Sequence, residues 1–266
     1  MASAVVEAGE HLAHPLVELV DIQKRYGHVV ALRGATLRIY RGAVNALAGD
    51  NGAGKSTLIK VLSGVVQPDR GEILFEQRPL TFASPFDSRK VGIEAVYQDL
   101  ALATDLNAAA NIFLGRETLR RGPLGRLFGE LDFRAMQEDA TRRLAELNID
   151  LGDGRRSVNY LSGGQRQAVA IARALVWSQN VLILDEPTAA LGVKGTEQVL
   201  DLIRRVRGQG VAVVLIMHNM QQLFEIADRI TVLRLGTTVG EFPIRETSVG
   251  ELVRLMAGLE NDEAGN

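Results

Sequence analysis

Residues 49–57 read Gly-Asp-Asn-Gly-Ala-Gly-Lys-Ser-Thr, and this stretch restricts the possible folds more than any other in the chain. The pattern G-x-x-x-x-G-K-[ST] forms a working loop only where it leaves a strand and enters a helix. The strand-like run 44–48, Val-Asn-Ala-Leu-Ala, precedes it. An apolar helical run follows and ends near Gly64, a residue suited to the φ > 0 position just past a helix. Glycines at 49, 52 and 54 let the chain curl so that backbone N–H groups converge on phosphate oxygens, and the helix aims its positive end at them. In that setting Lys55 reaches the β- and γ-phosphates and Ser56 offers its hydroxyl to Mg2+.

A phosphate loop needs a second strand that carries a carboxylate to the metal ion. Residues 181–186, Val-Leu-Ile-Leu-Asp-Glu, supply one. Asp185 ends an apolar strand, where a charge is costly unless it coordinates or hydrogen-bonds something. Glu186, next along, points elsewhere and can polarise a water for attack on a γ-phosphate. A third segment, Leu161-Ser162-Gly163-Gly164-Gln165, opens a helix-like run over 168–176. It is a second small-residue anion nest at a helix start, with no lysine of its own. Alone, Ser-Gly-Gly reads equally as a turn. Two phosphate-binding helix starts in one chain suggest two ATP sites shared across a dimer.

The remaining pattern is that of an α/β body with a helical insertion. A chain of 266 residues can bury one large core with a lobe inserted into it. Strands are expected over 16–26, 36–39 and 72–75, with turns at Arg41-Gly42 and at 68–71. From about 100 to 159 the period changes. Phe133, Met136, Ala140, Leu144 and Leu147 recur at helical spacing on one face, and Gly122, Pro123, Gly125 and Gly129 mark a loop ahead of them. The body resumes with the buried strand ending at Asp185 and a helix face of Val199, Leu202, Ile203 and Val206. A second buried strand over 212–217, a short helix over 223–227 and closing strands over 231–235 and 237–242 around Gly236 complete it. A last helix over 248–259 begins with Ser248 as cap and Glu251 at capping-box spacing. Residues 1–15 read as a flexible lead-in and 260–266 as a frayed tail.

Composition removes several function classes. There is no cysteine, which excludes disulfides, thiolate metal sites and a cysteine nucleophile. The formal net charge of −2 gives no pull toward nucleic acid. The most apolar run, 211–217, falls far short of the roughly 20 residues a membrane helix needs. The first residues lack the apolar core of a signal peptide.

Taken together and in this order, the motifs resemble the nucleotide-binding domain of an ABC transporter over residues 16–259, with the helical subdomain at about 100–160. The resemblance implies a P-loop NTPase fold: a RecA-like mixed sheet core, an antiparallel β subdomain and an inserted α-helical subdomain. It implies that Tyr26 stacks on adenine. Gly49, Asp50, Asn51, Gly52, Ala53, Gly54, Lys55, Ser56 and Thr57 match Walker A, and residues 181–186 match Walker B. Gln98 matches the Q-loop glutamine that senses the metal and links to the membrane partner. Leu161, Ser162, Gly163, Gly164 and Gln165 match the signature that caps ATP held by the opposite subunit. His218 matches the switch histidine at the γ-phosphate. The implied catalytic set is Glu186, His218 and Gln98, the implied metal set Ser56, Gln98 and Asp185, and the cofactors ATP and Mg2+.

Within the family, the segments 49–52, 111–117, 189–194, 218–220 and 224–229 are similar to the monosaccharide-importer branch of the fructose, ribose and xylose type. One departure stands out: Ala189-Ala190-Leu191 leads to Gly192, where most family members carry an aspartate that helps couple the two ATP sites. That glycine is at home in the sugar branch. The resemblance therefore implies an ATP hydrolase coupled to transport, peripheral on the cytoplasmic face of the bacterial inner membrane. Its implied partners are a second copy of itself, permease subunits and, through them, an extracytoplasmic sugar-binding protein; no nucleic acid is among them. The competing expectations are an importer or exporter for another solute, a soluble ATPase acting on DNA or ribosomes, and a nucleotide-gated scaffold without turnover.

Overall fold

The structure is a computed structural model that describes residues 14–120, 122, 129–152, 154–176 and 178–259. The expected lead-in up to residue 13, Pro123 and Gly125 of the expected loop, and the expected tail 260–266 lie outside the described residues. In chain order the elements are β1 (Val17–Tyr26), β2 (Val29–Ile39), β3 (Val44–Ala48), α1 (Lys55–Leu62), β4 (Arg70–Phe75), β5 (Arg78–Leu80), α2 (Pro85–Lys90) and β6 (Ile93–Val96). There follow α3 (Ala108–Phe113), α4 (Phe133–Glu146), α5 (Gly163–Leu175), β7 (Val181–Asp185), α6 (Val193–Gly208), β8 (Ala212–Ile216), α7 (Met220–Ile226), β9 (Arg229–Arg234), β10 (Thr237–Pro243) and α8 (Val249–Ala257).

Contacts divide the chain into two compact units. The first holds the segment up to Ala95, Ser178–Glu186 and the segment from Arg207 onward. Its antiparallel sheet runs β2-β1-β4-β5. Val17, Leu19 and Ile22 on β1 and Leu32, Ala35, Leu37 and Ile39 on β2 are all buried; alternation sets the register where Val17 and Leu19 face Ile39 and Leu37, and a shift follows before Ile22. β2 begins at Val29, earlier than the expected start at Thr36. Tyr26 pairs with Val29 across a two-residue hairpin, and a register shift beside Ala35 hides the alternation from a reading of the sequence.

The second sheet has the order β10-β9-β3-β8-β7-β6. β3 lies between β8 and β9 and is parallel to both, β7 is parallel to β8, and β10 closes the edge antiparallel to β9. All five residues of β3 and of β8 are buried, as are the first four of β7, which accounts for the unbroken apolar runs of β7 and β8. Asn45 is the polar exception inside β3. Its Oδ1 accepts from Tyr40 N–H at 3.0 Å, and its Nδ2 donates to the carbonyls of Tyr40, Ala43 and Val213. This amide closes the β2–β3 turn and ties β3 to β8 in a setting where an unpaired donor would be expensive. Thr238 links β10 to β2, its hydroxyl donating to Thr36 O at 2.6 Å and accepting from Thr36 N–H at 2.9 Å.

The second unit comprises Val96–Trp177 and Pro187–Val206. It takes in α3, α4 and α5 with most of α6. Asn107 and Asp132 cap α3 and α4 through their side chains. Met136, Ala140, Leu144 and Leu147 are buried as expected, but Phe133 is 67% exposed. It occupies the first helical position, where side chains lean back toward the helix start and overhang the packed face. In the first unit, Ser248 caps α8 by accepting from Glu251 N–H at 3.2 Å. The Glu251 carboxylate accepts instead from the Thr247 hydroxyl at 2.9 Å, so the expected capping box forms by half. Among the described residues no helix is long and apolar enough to cross a membrane.

Replacing Asn45 by alanine leaves the buried Tyr40 N–H without its acceptor. Urea denaturation of Asn45→Ala is expected to show a stability loss of about 2–3 kcal/mol with an unchanged m-value. A loss under about 1 kcal/mol would mean that the amide network does not hold the β2–β3 turn.

Candidate functional site

β3 leaves the sheet at Ala48 and turns at once. Gly49 has φ 151°, and a Cβ there would stand 2.4 Å from Leu233 O. Gly54 has φ 105°, and a Cβ there would stand 2.8 Å from both Ala31 O and Leu32 Cδ2. Positive φ and close backbone approach together require glycine at these two positions. Gly54 is also the N-cap of α1, with no side-chain cap and no acidic residue in the first turn. The N–H groups that open α1 therefore remain available to an anion. Lys55 folds across the loop, its Nζ donating to Gly49 O at 2.6 Å and Asp50 O at 3.0 Å. Burial lowers the Lys55 pKa, against the pull of Asp50, Glu186 and Asp185.

The parallel pairing of β7 with β8 brings the end of β7 to the same place. Asp185 pairs with Ile216, and Glu186 N–H donates to Ile216 O at 3.0 Å. Burial raises the Asp185 pKa and the neighbouring Glu186 charge adds to it, while Lys55 and His218 act in the opposite sense. Glu186 has φ 53°, a left-handed conformation that costs a non-glycine residue about 1–3 kcal/mol. His218, two residues past β8, brings its Nε2 to 2.6 Å from Glu186 Oε1.

These groups line one open cleft of about 330 Å3 in the first unit. Asn51, Gly52, Gly54, Lys55, Ser56 and Thr57 line it from the loop and the start of α1, and Asp185, Glu186 and His218 from the ends of β7 and β8. Val29, Val30 and Ala31 at the start of β2, with Ile216, complete the lining. Sequence reasoning missed these last four, because their place depends on the hairpin and the sheet rather than on a local pattern. Gly49, Asp50 and Ala53 shape the loop without lining the cleft. Tyr26 also stands outside the lining, half-exposed at the end of β1 with Lys24 Nζ 5.8 Å from its ring centroid.

The other expected residues belong to the second unit. Gln98 is exposed, two residues beyond β6. The loop that follows it is held by Arg173, which donates to Leu100 O and Ala101 O, both at 2.6 Å. Ser162 and Gln165 form a complete capping box at the start of α5: Gln165 N–H donates to the Ser162 hydroxyl at 3.3 Å, and Ser162 N–H donates to Gln165 Oε1 at 2.9 Å. Space at 163 and 164 is tight against the neighbouring segment. A Cβ on Gly163 would lie 2.8 Å from Leu191 Cδ2, and one on Gly164 would lie 3.1 Å from Gly195 Cα. Leu161 precedes the box, and its carbonyl accepts from Arg166 Nη1 at 2.9 Å.

A glycine loop that opens a helix at the end of a central parallel strand, with acids at the end of the next strand but one in the same sheet, defines a phosphate-loop nucleotide-binding domain. Comparison with known proteins narrows the class. The chain matches the ABC transporter family over residues 32–189. It is 46% identical over 245 residues to the fructose import ATP-binding protein FrcA of Rhizobium meliloti, covering 92% of this chain and 94% of that one. The xylose/arabinose import ATP-binding protein XylG of Sulfolobus acidocaldarius is also 46% identical, covering 91% and 93%. The ribose import ATP-binding protein RbsA 2 of Streptomyces avermitilis is 41% identical over 94% of this chain, which spans 48% of its length. Among solved structures, an ATP-binding cassette of an ABC transporter in its ADP conformation aligns with a TM-score of 0.77 at 24% identity, covering 92% of this chain and 96% of that one. A dimeric post-hydrolysis cassette bound to ADP and Pi aligns with a TM-score of 0.69 at 26% identity, covering 86% and 99%. The chain belongs to the ABC transporter family, and its fold is that of an ATP-binding cassette.

The raised Asp185 pKa has a measurable consequence. Between the ordinary carboxylate range and the raised value the folded chain binds more protons than the unfolded one, so stability falls as pH rises through that window. Asp185→Asn removes this fall. Without nucleotide and with chelator present, its Tm is expected to exceed that of the parent at neutral pH, and the difference to shrink as pH drops below the ordinary carboxylate range. Thermal melts across pH check it; a difference independent of pH would contradict the burial of the charged form.

Proposed function

We propose that this chain is the ATP-binding and ATP-hydrolysing subunit that energises an ABC importer for a monosaccharide of the fructose, ribose or xylose type. The observation that carries the reading is the full-length match to sugar-import ATP-binding proteins, with both chains covered by more than nine-tenths. The cleft supports it chemically. Free N–H groups at the start of α1 and the Lys55 ammonium suit a polyphosphate. Glu186, 2.6 Å from His218 Nε2, is the group to polarise the attacking water, and His218 the one to hold the γ-phosphate. Tyr26 would stack on adenine.

Ser56 and Asp185 line the same cleft and are hard oxygen donors of the kind Mg2+ prefers. Among the described residues no group of three or more His, Cys, Asp or Glu side chains could hold an ion unaided. The ion would take the rest of its shell from phosphate oxygens and water, and neutralise phosphate charge there.

Two copies would pair through ATP, each Lys55 cleft being completed by Ser162 of the partner subunit and Gly164 of the partner subunit. The loop around Gln98 and the helical segment would carry closure to the permease on the cytoplasmic face of the inner membrane. A sugar-binding protein would act from the far side through that permease. Gly192 has open space where a Cβ would go, so packing does not impose glycine in place of the coupling aspartate.

Glu186→Gln should bind ATP, fail to turn it over and accumulate as a dimer. Light scattering in ATP should show twice the monomer mass, and a variant that stays monomeric would count against the shared sites. Deleting the gene should abolish uptake of at least one labelled pentose or hexose. Unchanged uptake of all of them would refute the sugar assignment.

A further inference from the structure

The phosphate loop rests on an element that carries none of the nucleotide motifs, the tight turn Leu235-Gly236 between β9 and β10. Gly236 N–H donates to Ala53 O at 2.9 Å, inside the loop, while Gly236 O accepts from Arg33 N–H on β2 at 2.8 Å. One residue thus bridges the loop and the strand whose first residues line the cleft. The approach is backbone against backbone. A Cβ on Gly54 would stand 3.5 Å from Gly236 Cα, and a Cβ on Gly236 would stand 2.8 Å from Ala31 O and 3.1 Å from Leu32 Cα. The other end of the loop meets the same hairpin, where Leu233 O fills the space beside Gly49. Leu235, by contrast, is 69% exposed, so the turn's contact with its surroundings is made by backbone rather than by an apolar side chain.

We propose that Gly236 is a positioning residue for nucleotide binding: its N–H and its missing side chain set where Ala53 and Gly54 stand against Ala31, and so where the first N–H groups of α1 point. The inference rests on the nucleotide reading of the cleft. Gly236 has φ 82°, so any substitution there also strains the turn. That strain has an internal control. Gly210, in the turn before β8, has φ 85°, and a Cβ there would meet nothing within 4 Å, so alanine adds strain without crowding.

The test measures ATP affinity of the full-length chain by displacement of a fluorescent ATP analogue, with urea midpoints recorded for every variant. Gly236→Ala should weaken ATP by about tenfold to a hundredfold, the scale on which small misplacements of binding groups act. Gly210→Ala, at a comparable loss of stability, should stay within about twofold of the parent, as a remote independent site does. If Gly236→Ala does not fold, Gly236→Asn is read in its place, since asparagine tolerates positive φ and still carries the crowding Cβ. Affinity for the folded Gly236 variant within about twofold of the parent overturns the proposal, as does an equal loss in Gly210→Ala. A parent chain that does not bind ATP overturns the reading of the cleft itself, and the proposal with it.

Discussion

The N–H groups that open α1 have no acceptor inside the helix, and Gly54, which caps it, brings no side chain to satisfy them. That deficit at the end of a fully buried strand is the constraint around which the first unit is arranged. β3 must be rigid and central, because the loop inherits its position from Ala48. The residues at 49 and 54 must lack side chains, because β9 and β2 already occupy their space. Lys55, the cation best placed to join those donors, spans the loop and is partly withdrawn from water.

The site is costly to the folded chain. Burial works against the charged forms of both Lys55 and Asp185, and Glu186 holds an unfavourable backbone conformation. The surrounding sheet offsets this with β3 and β8 buried along their whole length and β7 buried up to Leu184. Strain and desolvation at a few residues, carried by a well-packed sheet, are what a site that must act on a highly charged ligand requires.

What was legible in the sequence follows from this division. The loop at 49–57 and the acids at 185 and 186 could be read directly, because phosphate chemistry demands particular residues at fixed spacing next to a buried strand. The central strands were equally plain, since burial on both faces leaves unbroken apolar runs. Features that depend on distant partners were not. The first half of β2 follows from pairing with β1 across an irregular register, and β5 and α2 carry little periodic signal. Phe133 fits the helical spacing but overhangs the helix start, and Glu251 finds Thr247 as a partner in place of the cap. Val29 to Ala31 and Gly236 reach the loop only once both sheets exist. Gly236 was visible as a turn, but its role as a brace was not.

The central claim is that this cassette hydrolyses ATP as a dimer, and steady-state phosphate release with Mg-ATP tests it most directly. Release by the purified chain should rise more than linearly with protein concentration and vanish in Glu186→Gln. A rate strictly proportional to concentration, or one that survives in Glu186→Gln, would contradict the account.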